Sequence, residues 1–137
     1  TLLKCQGLGL AAPQVGCPYQ VLVIWGSPIL ACFNPKIVHL SDEQILLDEG
    51  CLSYPGLVLK IKRPVAMRLR YTQPDGETMT RRFEGMTARV LQHEIDHLNG
   101  RNFYELVSRP KLESAIKRAN KLGSTYSFAE LFQKKGK

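Results

Sequence analysis

The segment from Met86 to Asn99 constrains the fold more than any other part of the chain. Its apolar residues recur at the spacing of an amphipathic α-helix, and Gly100 is a natural residue to end that helix. His93 and His97 lie about one turn apart on it, so both imidazoles can bind a single metal ion. The sequence therefore predicts a helix that carries part of a metal site.

Three strips of side chains follow the axis of this helix. We expect one apolar strip to be buried and one polar strip to face solvent. A third strip carries the histidines between them, which predicts that they line a cleft. Glu94, about 100° from His93, is close enough to act on a water at the metal. The apolar strip is Leu91, Ile95 and Leu98, the polar strip is Arg89, Gln92, Asp96 and Asn99, and the third is Met86, Val90, His93 and His97.

Antiparallel strands are predicted before this helix and two shorter helices after it. Apolar and charged residues alternate in residues 66–72, and the Pro-Asp-Gly turn at 74–76 predicts a hairpin. In residues 66–72, Met67, Leu69 and Tyr71 face one way, and Arg68 and Arg70 the other. The predicted strands are Tyr19–Trp25, Ala31–Val38, Leu57–Lys62, Ala66–Thr72 and Glu77–Phe83, and the further helices are Pro110–Leu122 and Phe128–Lys134.

These segments predict an α+β fold, in which antiparallel β-strands pack around a central metal-binding α-helix and a helical segment follows at the C-terminal end. The length of 137 residues suits a single domain over residues 1–137. Residues 7–16 are rich in glycine and small side chains. This composition predicts a loop that another group approaches closely.

Positive charge is concentrated near the C-terminal end. Residues 101–137 hold nine Lys or Arg against three Asp or Glu, which gives them +6 of the net charge of +7. Such asymmetry favours an anionic partner for the basic tail at about residues 109–137, RNA before a membrane. A solvated segment that only aids solubility is an equal alternative.

The sequence has neither a membrane-spanning apolar run nor a signal-peptide pattern. Its four cysteines include no Cys-x-x-Cys pair, which favours reduced thiols in a cytosol. We therefore expect a cytoplasmic protein that binds no membrane, with an organelle as the open alternative. Cys5, Cys17 and Cys32 are expected to be small buried side chains, and His39 an ordinary surface histidine.

Two histidines leave a catalytic metal one protein ligand short. Downstream of the helix, the candidates are Glu105, Glu113 and Glu130. Upstream, Cys51 is the alternative, because Gly50 permits a tight bend that can aim a thiolate at the metal.

At three places the sequence resembles the peptide deformylase family. The motifs are Gly7-Leu8-Gly9-Leu10-Ala11-Ala12-Pro13-Gln14, Glu49-Gly50-Cys51-Leu52-Ser53 and Gln92-His93-Glu94-Ile95-Asp96-His97-Leu98, in the family's order and approximate spacing. The resemblance covers about residues 5–107. It implies an enzyme that removes the formyl group from the N-terminal methionine of nascent polypeptides and releases formate.

The resemblance implies that Cys51, His93 and His97 bind one divalent metal ion, expected to be Fe(II). Raw affinity at a thiolate–imidazole site favours zinc over iron, so a preparation can also hold zinc, nickel or cobalt. The resemblance further implies that Glu94 is the general base, which takes a proton from water and returns it to the departing amine.

Other positions match residues that bind the substrate in this family. The side-chain amide of Gln14 and the backbone N–H of Leu52 are implied to stabilise the oxyanion. Gly9 and Gly50 are implied to hold the peptide backbone of the N-formylmethionyl substrate.

The methionine side chain needs an apolar pocket, for which the candidates are Leu8, Val90 and the stem of Arg89. In bacterial members an apolar residue often stands at the position of Arg89. Glu49 and Arg63 match a charged pair that steadies the cysteine loop in the family.

The two ends of the chain differ from the family pattern. Only six residues precede Gly7, whereas family members usually have a longer N-terminal segment with a helix. We expect either a compact form or a missing segment. Some bacterial members have a basic C-terminal helix that docks on the ribosome, which suggests the same partner for the basic tail.

Two other functions stay open. An HExxH endopeptidase would need a metal ligand other than Cys51 and would cleave internal peptide bonds. A non-catalytic RNA-binding module would enclose a structural metal with a fourth protein ligand. The sequence indicates no oligomeric state.

Overall fold

The structure, a computed structural model, describes residues 9–11, 20–24, 29–51 and 53–135. For residues 9–11 and 132–135 this description extends to the backbone alone. The chain divides into two compact units. The first is Thr1–Ile45 with Lys62–Asn99, and the second is Leu46–Ile61 with Gly100–Lys137. The expectation of a single domain over residues 1–137 stays a prediction.

Strands dominate the first half of the chain and helices the second. In chain order, the elements of the described ranges are β1 (Gly9–Ala11), β2 (Val21–Ile24), β3 (Leu30–Leu40), β4 (Gln44–Cys51), β5 (Tyr54–Pro64), β6 (Ala66–Thr72), β7 (Thr78–Glu84), α1 (Gly85–Leu98), a 3₁₀ helix (Phe103–Leu106), α2 (Arg109–Lys121) and α3 (Phe128–Lys135).

The first unit contains a five-stranded antiparallel sheet in the order β1-β2-β3-β6-β7. Along β6, apolar residues are buried and Arg68 and Arg70 are exposed, as the alternation predicts. Gly76 has a φ of +90° in the turn between β6 and β7, a conformation that glycine adopts without steric cost. The predicted hairpin is confirmed.

The core of the first unit lies between this sheet and α1. Each fully buried leucine or phenylalanine there stabilises the fold by about 1.5–3 kcal/mol. This burial holds α1, and therefore its polar side chains, in a fixed place on the sheet. The core residues are Leu22, Ile24, Cys32, Met67, Leu69, Tyr71, Phe83, Ala88, Leu91, Ile95 and Leu98.

The second unit contains most of the two-stranded sheet β4-β5 and all residues after Asn99. Its core joins β5 to the 3₁₀ helix, α2 and α3. Tyr104 is fully buried and donates a hydrogen bond to the carbonyl of Leu131 at 2.8 Å, and its burial raises the pKa of the phenol. The core residues are Tyr54, Leu57, Leu59, Ile61, Phe103, Tyr104, Leu112, Ala115, Ile116, Ala119 and Leu131.

The predicted α+β class, with antiparallel strands, the central helix and a C-terminal helical segment, is confirmed. None of the helices in the described ranges has the length and apolar character needed to span a bilayer. His39 is exposed, as expected.

Two predictions about loops are wrong. Gly9–Ala11 is not loop but strand β1, because it pairs along its length with β2; the rest of the glycine-rich segment lies outside the described residues. Gly50 makes no tight bend: it lies within β4, and its φ is not in the left-handed range.

Candidate active site

α1 buries polar side chains that were predicted to face solvent. Arg89 and Gln92 are each 5% exposed, so the prediction of a solvent-facing strip is wrong at these positions. Both find acceptors within the first unit. Arg89 Nη2 donates to the carbonyl of Ile45 at 2.6 Å, and Gln92 Nε2 donates to the carbonyls of Pro64 and Ala88 at 3.0 and 3.1 Å. Burial of polar groups is tolerated when they are hydrogen-bonded in this way.

His93 and His97 lie together on α1 as their spacing predicts. Their Nε2 atoms are 3.1 Å apart, and their ring centroids are 4.8 Å apart. Two nitrogens bound at about 2.0–2.1 Å to one tetrahedral ion would be roughly 3.3–3.4 Å apart, so this pair fits a shared metal. Both histidines are largely shielded from bulk solvent, with exposures of 8% and 9%.

Glu94, the residue between these histidines in the motif, is 4% exposed. Burial of a carboxylate is costly unless nearby groups or a cation stabilise it. A carboxylate on the helix that presents the two imidazoles can exchange a proton with a water near them without losing it to bulk solvent.

An ion pair that was not predicted ties α1 to the end of β5. Arg63 Nη1 donates to Asp96 Oδ2 at 2.9 Å, and the two side chains are 6% and 22% exposed. Together with the bond from Gln92 to Pro64, this contact fixes the helix on both sides of His93. Asp96 follows Gln92 by four residues, which places both on one helix face; that spacing was the available sequence signal.

Cys51 ends β4 in the second unit, where its half-buried side chain packs beside the second core. Glu49, two residues earlier, is 7% exposed. A Cβ added to Gly50 would lie 3.7 Å from the carbonyl oxygen of Leu57, an ordinary contact. The pairing of Glu49 with Arg63 stays a prediction.

Among the described residues, Cys51, His93 and His97 form a group that could hold a metal ion through one thiol and two imidazoles. Cysteine and histidine are donors that zinc, iron, cobalt and nickel accept. Cys32 differs, because it is fully buried in the first core and burial raises the pKa of its thiol to about 12. It therefore stays protonated at neutral pH, as expected of a small core side chain.

Several predicted site residues cannot be placed. Leu8, Gln14 and Leu52 lie outside the described residues, as do Cys5 and Cys17.

Two other residues predicted to bind the substrate, Gly9 and Val90, lie within the described residues. Gly9 lies in β1 opposite Ile24 of β2, and half-buried Val90 packs against the first core. Their roles in substrate binding stay predictions.

Comparison with known proteins identifies one family throughout. A sequence model of the polypeptide deformylase family matches residues 1–113. The peptide deformylase of Natranaerobius thermophilus is 47% identical over 107 residues, which cover 77% of this chain and 69% of that protein. The peptide deformylase of Rhizobium meliloti is 37% identical over 131 residues, which cover 91% and 75% of the two chains.

Solved structures agree with these relatives. A crystal structure of a peptide deformylase from Synechococcus elongatus in complex with actinonin has a TM-score of 0.82 and 38% identity, covering 88% of this chain and 67% of that one. The peptide deformylase from Thermotoga maritima has a TM-score of 0.75 and 38% identity, covering 79% and 74%.

Proposed function

This chain belongs to the polypeptide deformylase family, and on that premise we propose which of its residues carry the reaction. Its activity is hydrolysis of the N-formyl amide of nascent peptides. The observation on which the assignment rests is the buried group of His93, Glu94 and His97 on α1, with 3.1 Å between the two Nε2 atoms.

We assign the metal to the thiolate of Cys51 and the Nε2 atoms of His93 and His97. A divalent ion bound by these donors lowers the pKa of water to about 7 and polarises a carbonyl oxygen, which is the chemistry that formamide hydrolysis requires. The separation of the two imidazole nitrogens and the chemical type of the three donors support this assignment.

Glu94 is proposed to move the proton. Its carboxylate takes a proton from the attacking water, and the same group then protonates the nitrogen of the departing amine, which leaves poorly as an anion. Its burial supports this role, because the proton stays in the site between the two steps.

Negative charge develops on the formyl oxygen as water attacks it. Gln14, through its side-chain amide, and Leu52, through its backbone N–H, are proposed to donate hydrogen bonds to that oxygen. Preorganised donors of this kind typically contribute 10²–10³-fold in rate. Gly9 and Gly50 are proposed to hold the peptide backbone of the substrate.

Specificity for a formylated methionine requires a narrow site and an apolar pocket. The formyl carbon carries only hydrogen, so a narrow cleft admits it and excludes larger acyl groups. Leu8, Val90 and the methylene stem of Arg89 are proposed to line the methionine pocket. The half-buried Val90 and the fixed Arg89 guanidinium support a pocket wall on this side of α1.

We propose ferrous iron as the working metal, with zinc, nickel or cobalt able to occupy the same donors in a preparation. The donor set supports all four, because imidazole and thiolate bind each of them and raw affinity ranks zinc above iron. Activity per bound metal, measured after anaerobic loading with each ion, identifies the working one.

We also propose a cytoplasmic enzyme that meets its substrates at the ribosome through the basic tail. The exposed cations of α2 support this partner, since they would face an anionic surface. Deleting residues 109–137 would not test this proposal, because it would also remove Leu112 and Leu131 from the second core and so disturb folding. Replacing Lys117 and Arg118 with Gln should weaken ribosome binding at low salt, whereas replacing Lys62 and Arg81 with Gln should not.

The central test uses anaerobic, iron-loaded protein and formyl-methionyl peptides beside unformylated ones. Glu94→Gln should lower kcat by roughly 10²–10⁴-fold while the metal content is unchanged, because only proton transfer is lost. Cys51→Ser should lower both activity and metal content. Glu113→Gln removes an exposed carboxylate on α2 and should leave both unchanged.

The same assay separates the alternatives. Cleavage of casein with no release of formate would support an HExxH endopeptidase. Metal bound by four protein ligands, with no turnover and no effect of Glu94→Gln, would support a non-catalytic module. Neither alternative has a specific observation in its favour.

A further inference from the structure

The outer face of the first sheet, opposite α1, carries a group of cations that we call the sheet cation cluster: Lys36, Arg68, Arg70 and Arg82. All four side chains are exposed. They come from three neighbouring strands, β3, β6 and β7. A shallow cleft of about 680 Å³ runs over this face, and Arg68, Arg70 and Arg82 line it.

Strand register brings these cations together. Arg68 on β6 lies directly opposite Arg82 on β7, and Arg70 lies opposite Lys36 on β3. Side chains directly opposite each other have Cβ atoms about 4.5–5.5 Å apart, and like charges in such pairs destabilise a sheet. An anionic ligand on this face would relieve that repulsion.

Carboxylates offset little of this charge. Arg82 Nη1 lies 2.8 Å from Glu84 Oε2 in an exposed ion pair. In the part of the chain that the structure describes, no carboxylate forms a salt bridge with Lys36, Arg68 or Arg70. Three cations therefore remain on the face to attract an anion. Residues 1–100 carry nearly equal numbers of acidic and basic residues, so the total charge of this segment conceals the cluster.

An aromatic ring lies next to the cations. Phe33 on β3 pairs with Thr72 on β6, one row along the sheet from the Lys36–Arg70 pair. Its neighbour Cys32 is buried in the core, so Phe33 projects from the outer face, where it is 36% exposed. Cations that follow a phosphate backbone beside an aromatic ring that stacks on a base are what proteins use to bind single-stranded nucleic acid.

Hydroxyl groups complete the face. Thr72 and Thr78 share a hydrogen bond of 3.0 Å between their Oγ1 atoms, and Thr80 and Ser41 line the cleft. Hydroxyl groups commonly donate to phosphate oxygens. We propose that this face binds single-stranded nucleic acid, with the sheet cation cluster on the phosphates and Phe33 stacked on one base. The proposal is independent of the metal site and of the basic tail.

The first test measures binding of fluorescein-labelled U12 RNA and dT12 DNA to the full chain by anisotropy, between 25 and 200 mM salt. Each phosphate contact contributes about 0.7 to the slope of log K against log salt for single strands. The double variant Arg68→Gln/Arg70→Gln should therefore lower that slope by about 1.4. The control Lys62→Gln/Arg81→Gln removes the same charge from other positions of the first unit and should leave the slope unchanged.

The second test removes the ring. Phe33→Ala should weaken oligonucleotide binding about fivefold or more with the salt slope unchanged, and Phe33→Trp should restore it. The proposal would be overturned if the arginine variant kept the wild-type salt slope, or if its control lost as much of the slope. It would also be overturned if Phe33→Ala bound the oligonucleotides as tightly as the wild type. Binding to anionic phosphatidylglycerol vesicles that depends on the arginines, without oligonucleotide binding, would assign the face to a membrane instead.

Discussion

Arg63 and Asp96 form an ion pair in which the arginine side chain is almost completely shielded from water. Arg63→Met should lower the free energy of unfolding by about 1.5–3 kcal/mol, because a charged hydrogen bond is lost and a half-buried carboxylate keeps its desolvation cost. Urea titrations at neutral pH measure the loss.

The matched control for this prediction is Lys60→Met. Lys60 pairs with Asp48 at 3.6 Å, with side chains 69% and 62% exposed. Such exposed pairs typically contribute only about 0–1 kcal/mol. Equal destabilisation in the two variants would mean that burial of the Arg63 pair has no energetic effect.

Cys32 predicts a pH dependence of stability. Burial raises the pKa of its thiol from 9.0 to about 12, so the folded state keeps a proton that the unfolded state loses above pH 9. The unfolded state then binds fewer protons, and the free energy of unfolding falls as pH rises. The loss should begin near pH 9 and continue towards pH 12.

The measurement is a series of urea titrations between pH 8 and pH 10. Above pH 10 the buried phenol of Tyr104, whose pKa is also raised, adds a fall of the same sign. Within the lower window, Cys32→Ala should be less stable overall but lose less stability per pH unit. Parallel curves for the two proteins would contradict the assignment of the effect to Cys32.

At the scale of single elements, two glycines beside the candidate site should respond differently to alanine. Gly100 follows α1 with a φ of +75°, so Gly100→Ala should cost about 1–2 kcal/mol of stability. Gly50 lies in β4 with room for a Cβ, so Gly50→Ala should keep stability within about 1 kcal/mol of the wild type.

The effects on activity should be reversed: Gly50→Ala should impair the enzyme and Gly100→Ala should not. If Gly50 holds the substrate backbone, the added methyl group should raise KM about tenfold. That factor corresponds roughly to the free energy of one lost hydrogen bond. Gly100→Ala should leave kcat/KM nearly unchanged at a temperature where it is folded. An inactive but folded Gly100→Ala protein would show that the end of α1 takes part in the reaction.

The elements that sequence periodicity predicted are those with one buried face. α1, α2 and the β6–β7 hairpin bury apolar residues at regular intervals, so the pattern identifies them. β4 was not predicted, because Ile45, Leu46 and Leu47 are consecutive apolar residues that are all exposed, which matches neither period. β1 was missed because its glycine-rich segment forms a strand only by pairing with β2.

Parts of the candidate site were predictable for a different reason. The two histidines are four residues apart on one helix, so local geometry alone brings their nitrogens together. The burial of Arg89 and Gln92 was not predictable, because their acceptors at Ile45 and Pro64 lie far away in the sequence. Sequence alone predicts that polar residues on a helix are exposed, because most such residues in proteins are.

At the scale of the whole molecule, the proposed metal ligands come from distant parts of the sequence, Cys51 from β4 and the two histidines from α1. A metal that binds only the folded chain stabilises it by mass action, by about 2.7 kcal/mol at 100 times its Kd. Removing the ion with a chelator should therefore lower the Tm, and restoring iron anaerobically should raise it again.

Cys51→Ser and His97→Ala serve as the comparison for this experiment. Both should have a Tm close to that of the chelated wild type, and chelator should change it little. A Tm that depends on chelator equally in the wild type and in His97→Ala would place the stabilising metal at other residues.

The burial of α1 limits how this protein can change under selection. Nine of its 14 residues are buried, and five of those are polar or charged, so most substitutions there lose either packing or a hydrogen bond. A saturation library across residues 85–98 should retain variants mainly at Met86 and Thr87, which are exposed. A compound that recognises the buried side chains of α1 would therefore leave few routes to resistance through that helix.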